Sequence, residues 1–300
     1  MKKLCTLASL LVLASLILSA CGGGGASQAS DLLGAIKERG YILISTDPNY
    51  EPQSFLNTEG KRPADTKCPS DALTTDEMQG FDVDAAIAIG DALGVETCFA
   101  TPAWDIITAG NWADKWDVSV GSMTILPDRQ KVLDFSVPYY GTPAVVAVKA
   151  DSTFTSLDDL AGQALCAGTS TTYETWLNGG DLGPGIIIYS KAPAGVTAVP
   201  LETDQECAQS LTSGREDFAG YVTAITVVDA NIAAGLPVKQ LGDPIYNEVL
   251  AAAFDKSSTL DTTSLRAEVD KTFTAMHADG KLSALSTKWF GKDLTQGLVN

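Results

Sequence analysis

Histidine and basic residues are scarce in this sequence, and both shortages exclude classes of function. The 300 residues include one histidine, His277, and 20 lysine or arginine residues against 37 aspartate or glutamate residues, for a formal net charge of −17. A chain this acidic has no general attraction for nucleic acid or for anionic lipid headgroups. A single histidine without any Cys-x-x-Cys pair gives little support for a zinc site, and no phosphate-binding loop is present. We therefore expect no metal, no cofactor and no nucleic acid partner.

Long apolar runs are also scarce, since the only one lies at the N-terminus. Leu4 to Leu18 is an apolar stretch too short to cross a bilayer, and it follows the basic start Met1-Lys2-Lys3. Small residues close it at Ser19 and Ala20, which is typical of a cleavage site. This anatomy predicts a secretory signal peptide over residues 1–20, and no later run suggests a transmembrane helix.

The cysteine that follows these small residues, Cys21, makes the segment similar to the lipobox of bacterial lipoproteins. That resemblance implies cleavage before Cys21 and diacylation of its sulfur atom. The glycines at 22–25 and the small residues after them suit a flexible spacer, so residues 21–30 are predicted to be a tether. The alternative is an ordinary signal peptide with an incidental cysteine. The lipoprotein hypothesis places the domain in a periplasm or on the outer face of a plasma membrane, in contact with the membrane through its lipid alone.

The remaining residues, about 270 in number, alternate between strand and helix patterns. Tyr41 to Thr46 is rich in β-forming residues, and Phe81 to Leu93 has helical spacing and ends at Gly94. The same rhythm restarts after Lys149, and the pattern from Ser264 to Lys288 predicts one amphipathic helix. Such alternation predicts βαβ units around a largely parallel sheet. The length exceeds one average domain and suggests two α/β lobes.

Two apolar stretches lie where the chain would pass between the lobes, at 143–148 and 249–254. The first lobe is therefore predicted to comprise residues 31–147 and 250–300, and the second lobe residues 148–249. A lobe that is interrupted by another lobe forms a hinge with two crossover segments. The cleft beside such a hinge would hold a small ligand.

Four cysteines follow the signal segment and the tether: Cys68, Cys98, Cys166 and Cys207. An even number of cysteines outside the cytoplasm indicates disulfides, and the sequence alone allows three connectivities. We expect Cys68 to pair with Cys98 and Cys166 with Cys207, because each pair then falls within one lobe.

Five short motifs follow one another in the first half of the chain. They are Thr46-Asp47-Pro48-Asn49-Tyr50-Glu51-Pro52, Gly80-Phe81-Asp82-Val83-Asp84, Trp116-Asp117-Val118-Ser119-Val120-Gly121-Ser122-Met123-Thr124-Ile125, Asp128-Arg129, and Leu133-Asp134-Phe135-Ser136-Val137-Pro138-Tyr139-Tyr140. In this order and spacing they resemble the type 3 (polar amino acid) solute-binding proteins of ABC importers. The likeness spans roughly residues 31–291. It implies a type II periplasmic-binding-protein fold, in which two α/β lobes close on a ligand, and an ABC permease as the partner in the membrane.

Arg129 follows Gly121-Ser122-Met123-Thr124, which is predicted to be a turn after a strand. A guanidinium offers a planar fork that matches a carboxylate, and it stays charged when water is excluded. Gly121 would offer a backbone N–H group, and Ser122 and Thr124 would offer hydroxyls. The resemblance implies that Arg129 grips the α-carboxylate of the ligand. The alternative is a surface arginine in an exposed ion pair, which contributes only about 0–1 kcal/mol.

In the second lobe, the segment from Thr169 to Glu174 joins a strand to a helix. A helix start carries free N–H groups and partial positive charge, which favour an anion. The family pattern here is Gly-Thr-Thr-x-Glu, with Ser170 in place of the glycine. Thr171 and Thr172 match the positions that close onto the carboxylate. The alternative is plain N-capping by these residues, and the two roles can coexist.

Asp47, Tyr50, Phe81 and Trp104 are further candidates for ligand contacts. Asp47 and Tyr50 follow the first predicted strand in a proline-marked loop, and Trp104 is a lesser candidate on the same rim. Aromatic rings can sandwich a ligand side chain and exclude water. For Phe81 the alternative is a core position, because it lies just before a helix.

One position departs from the family pattern. The strand after Asp217 normally ends with an aspartate that pairs with the ligand α-ammonium group, and the count places Val222 there. A buried ammonium group without an anionic or carbonyl partner is costly. Three explanations stay open: the ligand lacks an ammonium group, Asp47 or Asp229 supplies the charge, or the register differs.

The resemblance as a whole predicts a monomeric, lipid-anchored receptor that captures a small carboxylate-bearing solute, in the first place a polar amino acid. It would pass the solute to a permease by hinge closure, without catalysis. The alternative is an enzyme, because some members of this fold resemble dehydratases of cyclic carboxylates. Glu174 or Asp47 would then be the general acid. A lone carboxylate desolvated in the cleft would favour the enzyme.

Overall fold

The computed structural model describes residues 31–297. The predicted signal peptide, the tether and the lipidated Cys21 lie outside the described residues, as do residues 298–300. Within 31–297, no helix combines the length and the apolar character needed to cross a bilayer.

Strands and helices alternate through most of this range. The helices are α1 (Leu32–Arg39), α2 (Phe81–Leu93), α3 (Trp104–Thr108), α4 (Thr172–Leu177), α5 (Asp204–Thr212), α6 (Ile225–Ala233), α7 (Thr263–Ala278) and α8 (Lys281–Phe290), with 3₁₀ turns at Arg129–Lys131 and Leu157–Leu160. The strands are β1 (Tyr41–Ser45), β2 (Asn49–Tyr50), β3 (Ser54–Leu56), β4 (Leu73–Thr74), β5 (Met78–Gln79), β6 (Glu96–Ala100), β7 (Val118–Thr124), β8 (Leu133–Phe135), β9 (Tyr140–Lys149), β10 (Ala164–Gly168), β11 (Ile187–Ile188), β12 (Thr197–Leu201), β13 (Gly220–Ala224) and β14 (Val238–Asp255).

One mixed sheet runs through the molecule in the order β12-β10-β13-β9-β14-β7-β1-β6-β4, and β2, β3 and β5 form a small separate sheet. β1 lies parallel to β6 and β7, and β10 lies parallel to β12 and β13. We call the part around β1 the first lobe and the part around β10 the second lobe. β9 and β14 lie antiparallel to each other between these parts. The fold is therefore the predicted two-lobed α/β arrangement.

The stretches predicted to cross between the lobes lie within the two central strands, 143–148 in β9 and 249–254 in β14. Their register places Tyr140 opposite Leu250 and Lys149 opposite Val238. The two segments that connect the lobes, β9 and β14, therefore lie side by side. This arrangement favours a hinge at this pair of strands. The residue boundaries of the lobes remain a prediction.

Each lobe has its own apolar core. Phe81 and Phe273 are fully buried in the core of the first lobe, and Trp176, Val222 and Leu241 belong to the core of the second lobe. Full burial of one such apolar side chain contributes roughly 1.5–3 kcal/mol. Because the cores are separate, the lobes are able to move as units about β9 and β14.

Two local predictions are wrong. The C-terminal pattern forms two helices, α7 and α8, because Asp279 and Gly280 interrupt it and Gly280 has a φ of 78°. Residues with a side chain rarely adopt this left-handed conformation. Residues 121–124, predicted to be a turn, form the end of strand β7, where Ser122 has a φ of 55°.

The structure contains two disulfides, Cys68–Cys98 and Cys166–Cys207, with Cα–Cα distances of 5.4 and 5.7 Å. The first joins the loop before β4 to β6, and the second joins β10 to α5. By restricting the unfolded chain, each contributes roughly 2–4 kcal/mol. Each disulfide therefore braces one lobe and leaves the hinge free.

Candidate functional site

A cavity lies between the lobes, where β1, β7 and β10 end. It has about 460 Å³ of empty space, part of which is open to solvent. It is lined by Asp47, Tyr50, Trp104, Gly121, Ser122, Thr124, Arg129, Gly168, Thr171, Thr172, Tyr173, Glu202, Thr203, Asp204 and Glu248. This set includes every predicted ligand residue except Phe81. The carboxyl ends of strands in open α/β sheets are the usual place for small ligands.

Arg129 lies on the 3₁₀ turn after β7 and is 5% exposed. Its Nη1 donates to the carbonyl oxygen of Thr124 at 3.0 Å, and its Nη2 donates to the carbonyl oxygen of Ser170 at 2.9 Å. The guanidinium carbon lies 5.5 Å from the ring centroid of Trp104. Arg129 therefore contacts both lobes at once.

The cavity thus contains a buried positive charge that forms no ion pair with a described residue, although the buried Glu248 acts on it through space. No carboxylate oxygen of the described residues lies within 4.0 Å of the Arg129 guanidinium. The exposed ion pair considered for Arg129 is absent from the described part of the chain, since the adjacent Asp128 pairs with Lys131. Burial lowers the pKa of Arg129 to about 10, so the side chain stays charged at neutral pH. Two carbonyl oxygens occupy only part of its five donors, and a ligand carboxylate would match the rest.

Hydroxyl groups join the two lobes beside this arginine. Thr172 Oγ1 donates to Thr124 Oγ1 at 2.8 Å, and Thr124 Oγ1 donates to Oε2 of Glu248 at 2.6 Å. The Tyr173 hydroxyl donates to Oε1 of Glu248 at 2.7 Å. Glu248 lies on β14, and burial raises its pKa because the charged form loses its hydration.

Glu248 and Tyr173 were not predicted from the sequence. For Glu248 a signal was present, because this acid directly precedes the apolar crossover stretch that begins at Val249. An acid in a buried strand is rare unless it has partners, so its position favours a polar site. Tyr173 carries no such signal, since an aromatic residue near the start of a helix is usually a core residue.

Thr171 caps the N-terminus of helix α4, which is the alternative role considered for residues 169–174. Its Oγ1 accepts from the N–H of Glu174 at 3.2 Å and donates to the carbonyl oxygen of Gly168 at 2.6 Å. The Glu174 carboxylate accepts from the N–H of Ser170 at 2.6 Å. Thr171 lines the cavity as well, whereas Glu174 does not. Glu174 is therefore not placed to act as a general acid on a ligand.

Asp47 lines the cavity from the loop after β1, and Tyr50 lines it from the short strand β2. Asp47 Oδ1 accepts from the N–H of Asn49 at 2.8 Å, and burial raises the pKa of Asp47. The hydroxyl oxygens of Tyr50 and Tyr173 lie 2.9 Å apart, which forms another hydrogen bond between the lobes. Burial raises the pKa of Tyr50 well above its usual value, so its hydroxyl stays protonated.

Phe81 does not line the cavity, which corrects its prediction as a ligand residue. Its side chain is fully buried, and its ring centroid lies 5.9 Å from that of Tyr139 and 4.8 Å from that of Tyr140. The core position considered as the alternative is the one it occupies. The next residue, Asp82, reaches the site indirectly, because its Oδ2 accepts from Ser122 Oγ at 2.6 Å.

Two residues considered at the ammonium position lie elsewhere. Val222 is fully buried in the core of the second lobe. Asp229 lies on α6, where its exposed carboxylate pairs with Lys292 at 2.9 Å. Neither side chain lines the cavity.

Asp204, the first residue of α5, lines the cavity instead. Its Oδ1 accepts from the N–H of Gly168 at 3.1 Å, and its Oδ2 accepts from the hydroxyl of Thr223 at 2.7 Å. Burial raises the pKa of Asp204 to about 7. No sequence motif connected this acid with the site.

These features define a two-lobed protein that encloses a small solute. The chain matches the family of bacterial extracellular solute-binding proteins, family 3, over residues 42–292, and it belongs to that family. The resemblance drawn from the sequence motifs is thereby confirmed.

Curated relatives cover nearly the whole chain. The L-cystine-binding protein TcyJ of Escherichia coli strain K12 is 29% identical over 267 residues, which cover 88% of this chain and 88% of that protein. The L-cystine-binding protein TcyA of Bacillus subtilis strain 168 is 26% identical over 310 residues, which cover 99% and 100% of the two chains.

Solved structures show the same fold. The ancestral amino acid-binding protein AncCDT-1, a precursor of cyclohexadienyl dehydratase, has a TM-score of 0.67 and 27% identity over 87% of this chain and 99% of its own. The P235GK mutant of ArgBP from T. maritima has a TM-score of 0.69 and 24% identity over 87% of this chain and 99% of its own. The second likeness supports the fold alone.

Proposed function

We propose that this protein is the substrate-binding component of an ABC importer and captures a polar L-α-amino acid outside the cytoplasm. The ligand lies in the cavity between the lobes, with its α-carboxylate on Arg129. A lipid on Cys21 holds the monomer at the membrane through the tether 21–30. The closed, liganded form is the one that the membrane permease receives.

The observation that carries this proposal is the buried and unpaired Arg129. A buried charge without a counterion costs free energy, and a ligand carboxylate would remove that cost. The relatives support the same class of ligand, since TcyJ and TcyA are named for binding L-cystine.

Closure of the lobes explains how capture would be coupled to transport. Contacts across the cleft join Arg129 to Ser170 and Gln53 Nε2 to Thr226 Oγ1, the latter at 2.7 Å. If the lobes are 31–147 with 250–300 and 148–249, opening at β9 and β14 breaks these contacts together. A ligand that touches both lobes therefore shifts the population toward the closed form.

A thermal-shift panel tests this proposal. The purified protein is unfolded and refolded once to remove bound solute, and is then mixed with each L-amino acid and with carboxylates that lack an amine. A ligand present at 100 times its Kd stabilises the fold by about 2.7 kcal/mol, which raises the Tm measurably. We expect a shift with one polar amino acid or a small group of them.

Two arginine variants make the test specific. Arg129→Ala should lose the shift, whereas Arg215→Ala should keep it, because Arg215 is exposed, pairs with Asp217 at 2.7 Å and does not line the cavity. Shifts confined to compounds without an amine would overturn the amino-acid proposal.

A second candidate function rests on Glu248. This carboxyl is buried in the cavity and has a raised pKa, which is the feature expected of a general acid in a dehydratase. In such an enzyme Glu248 would protonate the leaving hydroxyl, which departs as water, while a ring carboxylate leaves as carbon dioxide and its bonding electrons form the new double bond. Incubation with a prephenate-type cyclic carboxylate tests this candidate. Turnover by the wild type that Glu248→Gln abolishes would favour the enzyme.

A further inference from the structure

We propose that Asp204 binds the α-ammonium group of the ligand and so replaces the strand-end aspartate that the family pattern places at Val222. This inference rests on the proposed function, because it assumes an amino acid with its carboxylate on Arg129. Strand β13 has the sequence Gly-Tyr-Val-Thr-Ala and contains no acid. The anion therefore comes from the start of helix α5, a separate element of the same lobe.

Among residues 31–297, Asp204 is a buried carboxylate that has no cationic partner. It is 4% exposed, and no lysine or arginine nitrogen of the described residues lies within 4.0 Å of it. Its two oxygens accept only from neutral donors, the N–H of Gly168 and the hydroxyl of Thr223. Each carboxylate oxygen has room for a second hydrogen bond. An ammonium ion in the cavity would supply both the missing donor and the missing charge.

The geometry of β13 explains why an acid on another element can take this role. Successive side chains of a strand point to opposite faces, so the buried Val222 faces the core and Thr223 faces the opposite side. There the Thr223 hydroxyl holds the Asp204 carboxylate. The end of β13 therefore still contributes to the ammonium site, because its Thr223 hydroxyl positions Asp204 of α5.

Gly168 provides independent support for a built site. A Cβ atom at Gly168 would lie 2.7 Å from Asp204 Oδ1, which is closer than carbon and oxygen approach without a bond. Only glycine therefore allows the carboxylate to reach the backbone N–H of this strand end. The disulfide Cys166–Cys207 joins the same strand to the same helix and keeps the two groups together.

The other acids of the cavity fit the role less well. Both oxygens of Glu248 already accept from hydroxyls, those of Thr124 and Tyr173. Asp47 is only partly buried and accepts from the N–H of Asn49 in its own loop. The negative charge of Asp47, near Asp204, makes binding of the ligand ammonium group between these acids more favourable.

The surroundings of Asp204 make binding depend on pH. Burial raises the pKa of Asp204 to about 7, with a further contribution from the charges of Asp47 and Glu248. Four tyrosines surround Asp204 from β2, α4, β13 and β14: Tyr50, Tyr173, Tyr221 and Tyr246. Their hydroxyls stay neutral, because burial raises their pKa values. The remaining charged residues that line the cavity are Arg129 and Glu202.

An ammonium ion requires the ionised form of Asp204. At pH values below about 7 the empty protein holds a proton there, and the ligand must displace it. The affinity for the amino acid should therefore be constant above about pH 8 and fall by up to about tenfold per pH unit below 7.

Titration calorimetry on the mature protein with paired ligands tests the assignment. Each pair is an amino acid and its analogue without the α-ammonium group: L-arginine with δ-guanidinovalerate, L-cystine with dithiodipropionate, and the strongest ligand of the panel with its own deaminated analogue. Asp204→Asn should weaken binding of the amino acid roughly 10- to 100-fold, because one charged hydrogen bond is lost. The same variant should change binding of the analogue less than about threefold. Asp151→Asn, which removes an exposed acid of the same lobe, should change neither.

A second measurement does not depend on any variant. Calorimetry of the wild type in buffers of different ionisation enthalpy should show release of a proton near pH 7 with the amino acid and none with the analogue. Equal loss of both ligands in Asp204→Asn, or loss of neither, would overturn the assignment while the wild type still binds amino acids. A wild type that binds no amino acid would overturn the proposed function itself.

Discussion

Thr172 donates a hydrogen bond to Thr124 across the cleft at 2.8 Å, and Thr124 donates in turn to Glu248 at 2.6 Å. These three side chains come from the second lobe, the first lobe and the crossover strand β14. The series spans the contact between the two lobes, so it connects the polar groups of the cavity in one arrangement.

This relationship predicts coupling between the two threonines. Thr124→Val and Thr172→Val should each weaken ligand binding by about fivefold or more, because each leaves a buried polar group with one partner fewer. The double variant should lose less than the product of the two effects, since the second change removes an interaction already broken. Calorimetry on the four proteins measures this coupling. Strictly multiplicative effects would show that the contact does not contribute to closure.

Arg129→Lys should weaken binding at least about tenfold, although the charge is kept. A lysine ammonium group is a point charge and lacks the planar fork that holds two carbonyl oxygens and a carboxylate together. Calorimetry with the ligand identified by thermal shift measures the loss. Arg215→Lys serves as the control, and an unchanged Kd in Arg129→Lys would contradict the clamp.

The stability of the empty protein should fall as the pH rises from about 4 to about 7. Burial raises the pKa of Asp82 from 3.8 to about 7, despite hydrogen bonds from Ser122 and Tyr139. Between these values the folded protein holds a proton that the unfolded chain releases, so the stabilisation is complete below pH 4 and lost above 7. The full effect of one such group is at most roughly 4 kcal/mol.

Urea unfolding between pH 4 and pH 8 measures this dependence. Asp82→Asn should remove part of the pH dependence of the unfolding free energy. The remaining part should come from Asp204, whose pKa is also raised to about 7. A wild-type slope that persists in full in Asp82→Asn would contradict the assignment to Asp82.

Gly280→Ala should destabilise the protein by about 1 kcal/mol, because an alanine would have to adopt a φ of 78° between α7 and α8. Gly185→Ala is the matched control. Its φ is not in the left-handed region and no atom lies within 4 Å of the added methyl group, so it should be neutral or slightly stabilising. Urea unfolding compares the two variants, and equal effects would contradict the explanation.

Lipidation is predicted at Cys21, outside the described residues. Cells grown with a labelled fatty acid should incorporate the label into the wild type and not into Cys21→Ala. Once its signal peptide is cleaved, the variant should also be released from the membrane fraction, because it then has neither the apolar stretch nor a lipid to hold it. A wild type that incorporates no label would support the alternative of an ordinary signal peptide with an incidental cysteine.

Features carried by local pattern could be predicted from the sequence. The order of strands and helices, the cap at Gly94 and the crossover stretches follow from hydrophobic periodicity and glycine positions. Arg129 and Thr172 could be predicted because they belong to short motifs of the family. Phe81 was misplaced because its motif reaches the site only indirectly, through the hydrogen bond between Asp82 and Ser122, and packing places the Phe81 ring in the core.

The rest of the site depends on contacts between distant residues. Glu248 meets Thr124 across 124 positions of the chain, and Asp204 meets Gly168 across 36. The hydrophobic periodicity of the sequence cannot predict such contacts, because they depend on how β14 and α5 pack against other elements. The sequence by itself therefore determined the class of protein, the order of its elements and the place of Arg129 among the cavity residues. The tertiary structure alone decided which acids enter the cavity, because burial and hydrogen-bond partners are set by the packing of elements far apart in the chain.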